Sequence, residues 1–362
     1  MTSKQRILST LKGEKCDRIA WIPGMNSYFV KRIVTVGKES DNNLALYVEA
    51  CKKMGMDLFW GFAPVVEQKI HNVRIRQVKD GDSTEFIYET PKGKLSYRTV
   101  TCANAGTDFY TDFLIKGAQD YEIYRYIIEN TEYLPCYEEA QKAQNIVGDH
   151  GLVGGSVPPT PIMGMAKWHM GPEKMIYELY DHEKELDDLL SLIHEKQKEF
   201  YKIAADSPAE IFRSGESTSS NIISPALFEK YCVPQLNDYA GIIHAAKKYY
   251  DTHMCGMLKA LLPAISRINM DMIEPITPPT TGDTPLAEAK KKLPQKVVVG
   301  GIDSGIFVTY TPEKVKKYMI DLLTSLPDFR RCMLGTEEIP ANAKIENVAA
   351  ASLAVKKYGC YQ

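Results

Sequence analysis

The sequence predicts an α/β fold, a single (β/α)8 TIM barrel with a β-rich insertion after the second strand. Three observations carry this. Eight short apolar β-runs follow one another along 362 residues. Amphipathic helical stretches lie between most of them. No GxGxxG follows the first run, which weakens the competing doubly wound open sheet. One barrel over residues 1–362 is the expected domain.

The eight runs are 18–23 (RIAWIP), 57–62 (DLFWGF), 151–157 (GLVGGSV), 210–215 (EIFRSG), 248–254 (KYYDTHM), 270–275 (MDMIEP), 297–302 (VVVGGI) and 330–335 (RRCMLG). Most are apolar on both faces, as strands buried between helices must be. Among the helices, 182–204 places Leu186, Leu189, Leu190 and Ile193 on one stripe. The helix over 311–326 opens on Thr311 as an N-cap, and the last, over 346–358, closes on Gly359. Residues 68–115 break the rhythm. Their alternating runs, with turn signals at Asp80-Gly81 and Pro91-Lys92-Gly93, predict an antiparallel insertion covering part of the barrel mouth. Trp60 and Phe62 are expected in the core rather than in a substrate cage.

Composition excludes several classes. With 44 Lys+Arg against 46 Asp+Glu the net charge is −2, which gives no general attraction for nucleic acid. Hydrophobic residues at 44% exclude a disordered chain. No apolar run reaches the roughly 18–20 residues that cross a bilayer, and the polar start has no signal-peptide core. Eight scattered cysteines in a chain able to build its own core predict free thiols or metal ligands in a reducing cytoplasm.

In a TIM barrel the chemistry sits at the C-terminal ends of the strands. There the sharpest feature is Thr252-His253-Met254-Cys255-Gly256. His253 and Cys255 are two residues apart, so in extended chain both side chains point the same way. An imidazole beside a thiolate suits zinc; the bland alternative is a core thiol beside a hydrogen-bonded imidazole. Cys332 and Glu337 compete as third ligand. Cys332 is the better match in softness but lies near the start of the last strand. Glu337, just past that strand's end, shares the layer of His253 and Cys255 and is favoured. Glu274, ending 270–275, is a candidate catalytic carboxylate or displaceable fourth ligand. Glu216, after 210–215, is a candidate catalytic or ligand-orienting acid. Asn26, Tyr28 and Asp303 are candidate substrate contacts on the rim. Loop-capping is the alternative for these acids.

The chain resembles the uroporphyrinogen decarboxylase superfamily over nearly its whole length. The resemblance rests on RILSTLKGEKCDRIAWIP, ISPALFEKYCVPQL, His253-Met254-Cys255-Gly256, Pro278-Pro279-Thr280-Thr281-Gly282-Asp283 and IPANAKIENVAAASLAVKKYG, in that order. It implies the (β/α)8 barrel. The decarboxylases of that superfamily use an arginine-bearing loop after the first strand and an Asp after the second. Here those places read PGMNSYF and FAPVVEQ, so porphyrinogen decarboxylation is not expected. The other branch, zinc-dependent methyltransferases, carries a His-x-Cys and a later Cys. His253 and Cys255 match; Glu337 stands where the later Cys is usual.

The resemblance therefore implies a Zn2+ enzyme that moves a methyl group from a methoxylated substrate, for preference aromatic, to the cob(I)alamin of a partner corrinoid protein. Exchanging a thiolate for the carboxylate of Glu337 makes the metal a stronger Lewis acid, which suits an oxygen leaving group. The alternatives are methyl transfer from a methylcorrinoid to a thiol or folate, decarboxylation of another small acid, and an inactive barrel that binds a corrinoid protein. Homodimers are common in the superfamily, but no interface is legible in this sequence.

Overall fold

The computed structural model describes residues 1–34, 43–102 and 107–361. The eight parallel strands are β1 (Ala20–Trp21), β2 (Leu58–Ala63), β3 (Gly151–Val157), β4 (Ile211–Ser214), β5 (Tyr249–His253), β6 (Met272–Ile276), β7 (Val297–Gly301) and β8 (Cys332–Gly335). Each lies within or one residue beyond a run read from the sequence. They form one curled sheet in the order β1-β8-β7-β6-β5-β4-β3-β2, so neighbours in the chain are neighbours in space. That order is the barrel order. The sheet stays open between β1 and β2, where Asp57 N donates to Trp21 O at 2.8 Å just ahead of β2.

The helix Ser3–Lys12 follows from a complete capping box, in which Thr2 and Gln5 satisfy each other's backbone N–H groups. Its Ile7 and Leu11 join Ala20, Leu152, Ile211, Met272, Val297, Val299 and Met333 in one buried cluster. These strand residues come from the N-terminal halves of their strands or from close beside them. The bottom of the barrel is thus filled with aliphatic side chains, each stabilising by about 1.5–3 kcal/mol when fully buried. The opposite end is left for polar groups.

The seam at the bottom is polar but fully paired. Asp57 is buried and accepts from Ser3 Oγ (2.7 Å), Trp21 N (3.0 Å), Arg18 Nη1 (2.8 Å) and the guanidinium of Arg6. A carboxylate with that many donors is held as firmly as a strand pair would be.

The chain divides into two compact units. The first, Met1–Val65, Tyr137–Val157 and Ser207–Gln362, contains the whole eight-stranded sheet. The second, Val66–Cys136 and Pro158–Asp206, holds the antiparallel strands that follow β2. Arg74–Asp80, Ser83–Thr90, Gly93–Cys102 and Thr107–Asp112 form a four-stranded meander with the two expected turns. Val66–Ile70 pairs instead with Thr131–Pro135, a strand past the region read as β. The long helix Glu183–Asp206 buries the expected Leu186, Leu189, Leu190 and Ile193, and it belongs to this second unit. Thr311 caps Pro312–Ser325 by accepting from Lys314 N, and Gly359 ends Ile345–Tyr358.

Phe62 departs from the expectation of a core residue. It is 61% exposed, at the open end of β2. Trp60 is half-buried, with Tyr47 and Phe62 edge-on at 5.5 and 5.6 Å. Phe59 and Gly61 face Arg213, and the register of β2 against β3 shifts between Trp60 and Ala63, so that the Phe62 ring also lies 5.6 Å from the Arg213 guanidinium. All eight cysteines are free. Among the described residues no helix is long and apolar enough to cross a membrane.

Candidate metal centre

His253, Cys255 and Glu337 come together at the C-terminal end of the sheet, with one donor atom of each within 4.8 Å of the others. His253 is the last residue of β5 and Cys255 lies in the loop just beyond. The i, i+2 spacing keeps both on one side as the strand leaves the sheet. The carboxylate of Glu337 lies two residues past β8 and is exposed. Cys332, the competing sulfur, is fully buried in the first position of β8, beside Val298 of β7. Burial pushes its thiol up to about 12, so it is neither in reach nor ready to ionise.

Each ligand loop is braced. Gly256 has φ +102°, which favours glycine, and lets the chain turn directly after Cys255. Its N–H donates to Thr277 Oγ1 (3.2 Å), which donates back to Gly256 O (3.0 Å). Asp283 Oδ1 then accepts from Leu258 N (2.9 Å) and Lys259 N (3.0 Å). The Glu337 loop is stitched to the loop after β1: Gly24 N donates to Thr336 O, and Ile339 N to Gly24 O. A Cβ on Gly24 would lie 2.3 Å from Glu337 O. Gly24→Ala is accordingly expected to displace this loop and cost about 1–3 kcal/mol. Thermal melting with and without zinc checks it: the variant should melt lower and gain less from the metal than the wild type.

His253 is oriented from behind. Its Nδ1 lies 2.7 Å from Glu274 Oε1 on β6, the residue it registers with across the sheet. An ionised carboxylate only accepts, so the proton sits on Nδ1 and Nε2 is the nitrogen left for a cation. Arg213 of β4 completes the layer. Its Nε donates to Asp251 Oδ2 at 2.6 Å and its Nη2 lies 3.1 Å from Glu274 Oε1. Burial alone would push Glu274 up, but Arg213 and His253 outweigh it and hold the carboxyl low. Burial raises the Asp251 carboxyl in spite of Arg213. Burial opposes charge on His253 too, yet Glu274, aided by Cys255, lifts the metal-free imidazole to about 10.

The remaining candidates sit as follows. Glu216 is fully buried after β4, next to Ser217, whose N–H donates to His253 O at 2.7 Å. Asn26 caps the helix Ser27–Ile33 through Tyr28 N and reaches Glu338 at 3.1 Å. Tyr28 is 45% exposed on the same helix. Asp303 accepts from Gly305 N (2.8 Å) and Thr280 Oγ1 (3.2 Å) in the loop after β7. Arg213, Asp251 and Thr277 are not among the candidates legible in the sequence, and Asp283 enters there only as part of the stretch that carries the resemblance. Alternation was the available signal for two of them: Asp251 and His253 share a face of β5, and Arg213 is the one charge inside an apolar strand.

The donor set is one nitrogen, one sulfur and one oxygen, all in forms that a borderline-soft divalent cation accepts. Three protein ligands with a position to spare is the composition of a catalytic zinc site, so the residues present fit that metal. Cys332→Ala should leave the zinc content per chain unchanged, and Glu337→Ala should lower it. Elemental analysis of the purified variants distinguishes the two.

A family model described as Uroporphyrinogen decarboxylase (URO-D) matches residues 137–358, more than half of the chain. The chain belongs to this family. Among solved structures it is similar to a methyltransferase from Methanosarcina mazei, with 13% sequence identity, 99% of each chain covered and a TM-score of 0.65. At that identity the likeness shows the shared fold alone. No curated protein sequence matches the chain.

Proposed function

We propose that this chain is a zinc-dependent methyltransferase that demethylates a methoxylated, for preference aromatic, substrate and delivers the methyl group to the cob(I)alamin of a corrinoid protein. The observation that carries the reading is the convergence of His253, Cys255 and Glu337 at the open end of the sheet. Bound there, zinc would act as a Lewis acid on the ether oxygen as negative charge develops on it. His253 would hold the metal through Nε2, with its Nδ1–H fixed on Glu274. Cys255 would supply the soft donor, and Glu337 the hard donor that keeps the metal electrophilic. Glu216 is the carboxyl group proposed for proton handling, while Glu274, held low between Arg213 and His253, is assigned to orienting the imidazole. Asn26, Tyr28 and Asp303 are the rim groups proposed to touch the substrate.

The methyl acceptor has to come from outside the chain, because no amino-acid side chain displaces an unactivated phenolate. The fold of the Methanosarcina mazei methyltransferase supports the assignment only as a scaffold. The family's description names a decarboxylase. Against that second reading, the segment 23–29 after β1 carries no arginine.

The test is to mix the purified chain with zinc, cob(I)alamin and a panel of methoxyarenes, and to follow methylcobalamin by its absorbance. Accumulation that depends on the ether supports the reading. No methylation across ethers and methylthiols, in a protein that holds zinc, would overturn it.

A further inference from the structure

We propose that Arg213 is a positioning residue of the metal centre: it lies between Asp251 and Glu274 and holds Glu274 on the Nδ1–H of His253, so that Nε2 remains the donor nitrogen. The inference rests on the metal-site reading above and extends it one layer inward.

The argument starts from register. Arg213 of β4 pairs with Asp251 of β5, and His253 of β5 pairs with Glu274 of β6. Asp251 and His253 alternate onto one face of β5, so two carboxylates and an imidazole crowd into a single layer. Asp251 is fully buried and Glu274 keeps 13% of its side chain exposed, so two carboxylates this close repel with little water to screen them. A cation between them offsets that repulsion. Arg213 is that cation: its planar fork reaches Asp251 through Nε and Glu274 through Nη2 at the same time. Asp251 Oδ1 is buried with no hydrogen-bond partner, so the Asp251 side chain depends on Arg213 through its other oxygen.

The guanidinium is itself clamped. It lies over the Phe59 ring, 4.4 Å from the centroid. On the inward face of β2, Gly61 leaves it room; a Cβ there would sit 2.8 Å from Arg213 Nε. Only 8% of Arg213 is exposed. A buried ion network of this kind is no better for stability than a well-packed apolar layer. What it provides here is one fixed acceptor behind His253. Without the guanidinium, Glu274 loses the partner that lies 3.1 Å from its Oε1 and can swing off His253 Nδ1. An Nδ1–H with no fixed acceptor leaves the ring free to turn and to exchange its tautomer, so Nε2 is no longer held as the donor nitrogen.

The experiment measures binding of Co2+ alone, followed by the cobalt–thiolate absorbance and by competition with a chelator, with circular dichroism as the check on folding. Arg213→Gln is expected to weaken Co2+ by about 10–100-fold, the usual cost of losing an outer-shell partner. Arg213→Lys, which keeps the charge between the carboxylates, should recover most of that loss. A Gln variant that folds and binds within about twofold of wild type overturns the proposal, and so does a Lys variant no better than Gln. If Arg213→Gln does not fold, Gly61→Ala asks the same question by pushing the intact guanidinium aside. Weaker Co2+ binding supports the proposal, and unchanged binding overturns it. Wild-type protein that takes up no Co2+ is a different result: the metal reading itself then fails, and this proposal with it.

Discussion

Replacing His253 or Cys255 by alanine is expected to abolish stoichiometric zinc and, with it, methyl transfer from any ether substrate. The two residues are two of the three proposed protein donors, and a site left with one nitrogen or sulfur plus an exposed carboxylate has little affinity for zinc in competition with water. Loss of the Lewis acid removes several kcal/mol of stabilisation of the developing oxyanion, about 10^3-fold or more in rate. Elemental analysis reads the metal and methylcobalamin formation reads the rate. Both variants should fold, because His253 is only half-buried at the open end of β5 and Cys255 lies in a loop. Full zinc content in either variant would remove the centre from the assignment. Glu337→Cys is the informative companion. It should keep zinc and slow ether cleavage, because the second thiolate makes the metal less electrophilic.

Asp57→Ala is expected to cost about 3–5 kcal/mol, the largest effect on stability of any single substitution considered. The lost carboxylate leaves the guanidinium groups of Arg6 and Arg18 unpaired at the closed end of the sheet. It also strips an acceptor from Trp21 N on β1 and from Ser3 on the first helix. Among the described residues β1 and β2 are not paired with each other as strands. Equilibrium urea unfolding gives the number; a change below about 1 kcal/mol would show that Asp57 is not what holds the seam. Asp57→Asn should fall between, because it keeps the shape and loses the charge. The neighbouring Asp17 adds a dependence on pH. Its hydrogen bonds to Arg6 outweigh burial and hold its carboxyl well below the ordinary value of 3.8. The stability it contributes is therefore complete above about pH 4 and declines as the solution is acidified below that. Acid titration of wild type against Asp17→Asn checks the sign.

Most of the fold is legible in the sequence. Eight apolar runs gave eight strands because a strand buried on both faces has to be short and continuously apolar, and that pattern needs no partner to be recognised. The antiparallel meander was legible for the complementary reason: its strands alternate, and Asp80-Gly81 and Pro91-Lys92-Gly93 mark two of its turns. The strand Thr131–Pro135 was missed, since its partner Val66–Ile70 lies some sixty residues earlier and nothing local announces a pairing at that distance. Phe62 lies outside the core: aromatic character says that a side chain is large and apolar but not whether its end of the strand is covered.

The candidate site divides along the same line. The sequence alone determined that His253 and Cys255 share a side, because a two-residue spacing in an extended chain is a local property. Which third group joins them, Glu337 rather than Cys332, became definite only when the last strand was in place beside β1, with one residue at its closed end and the other past its open end. Arg213, Asp251 and Glu274 converge from three strands whose register no single segment encodes. Register is a property of the assembled sheet, and so the candidate ligands are legible in the chain while the layer behind them is decided only by the fold.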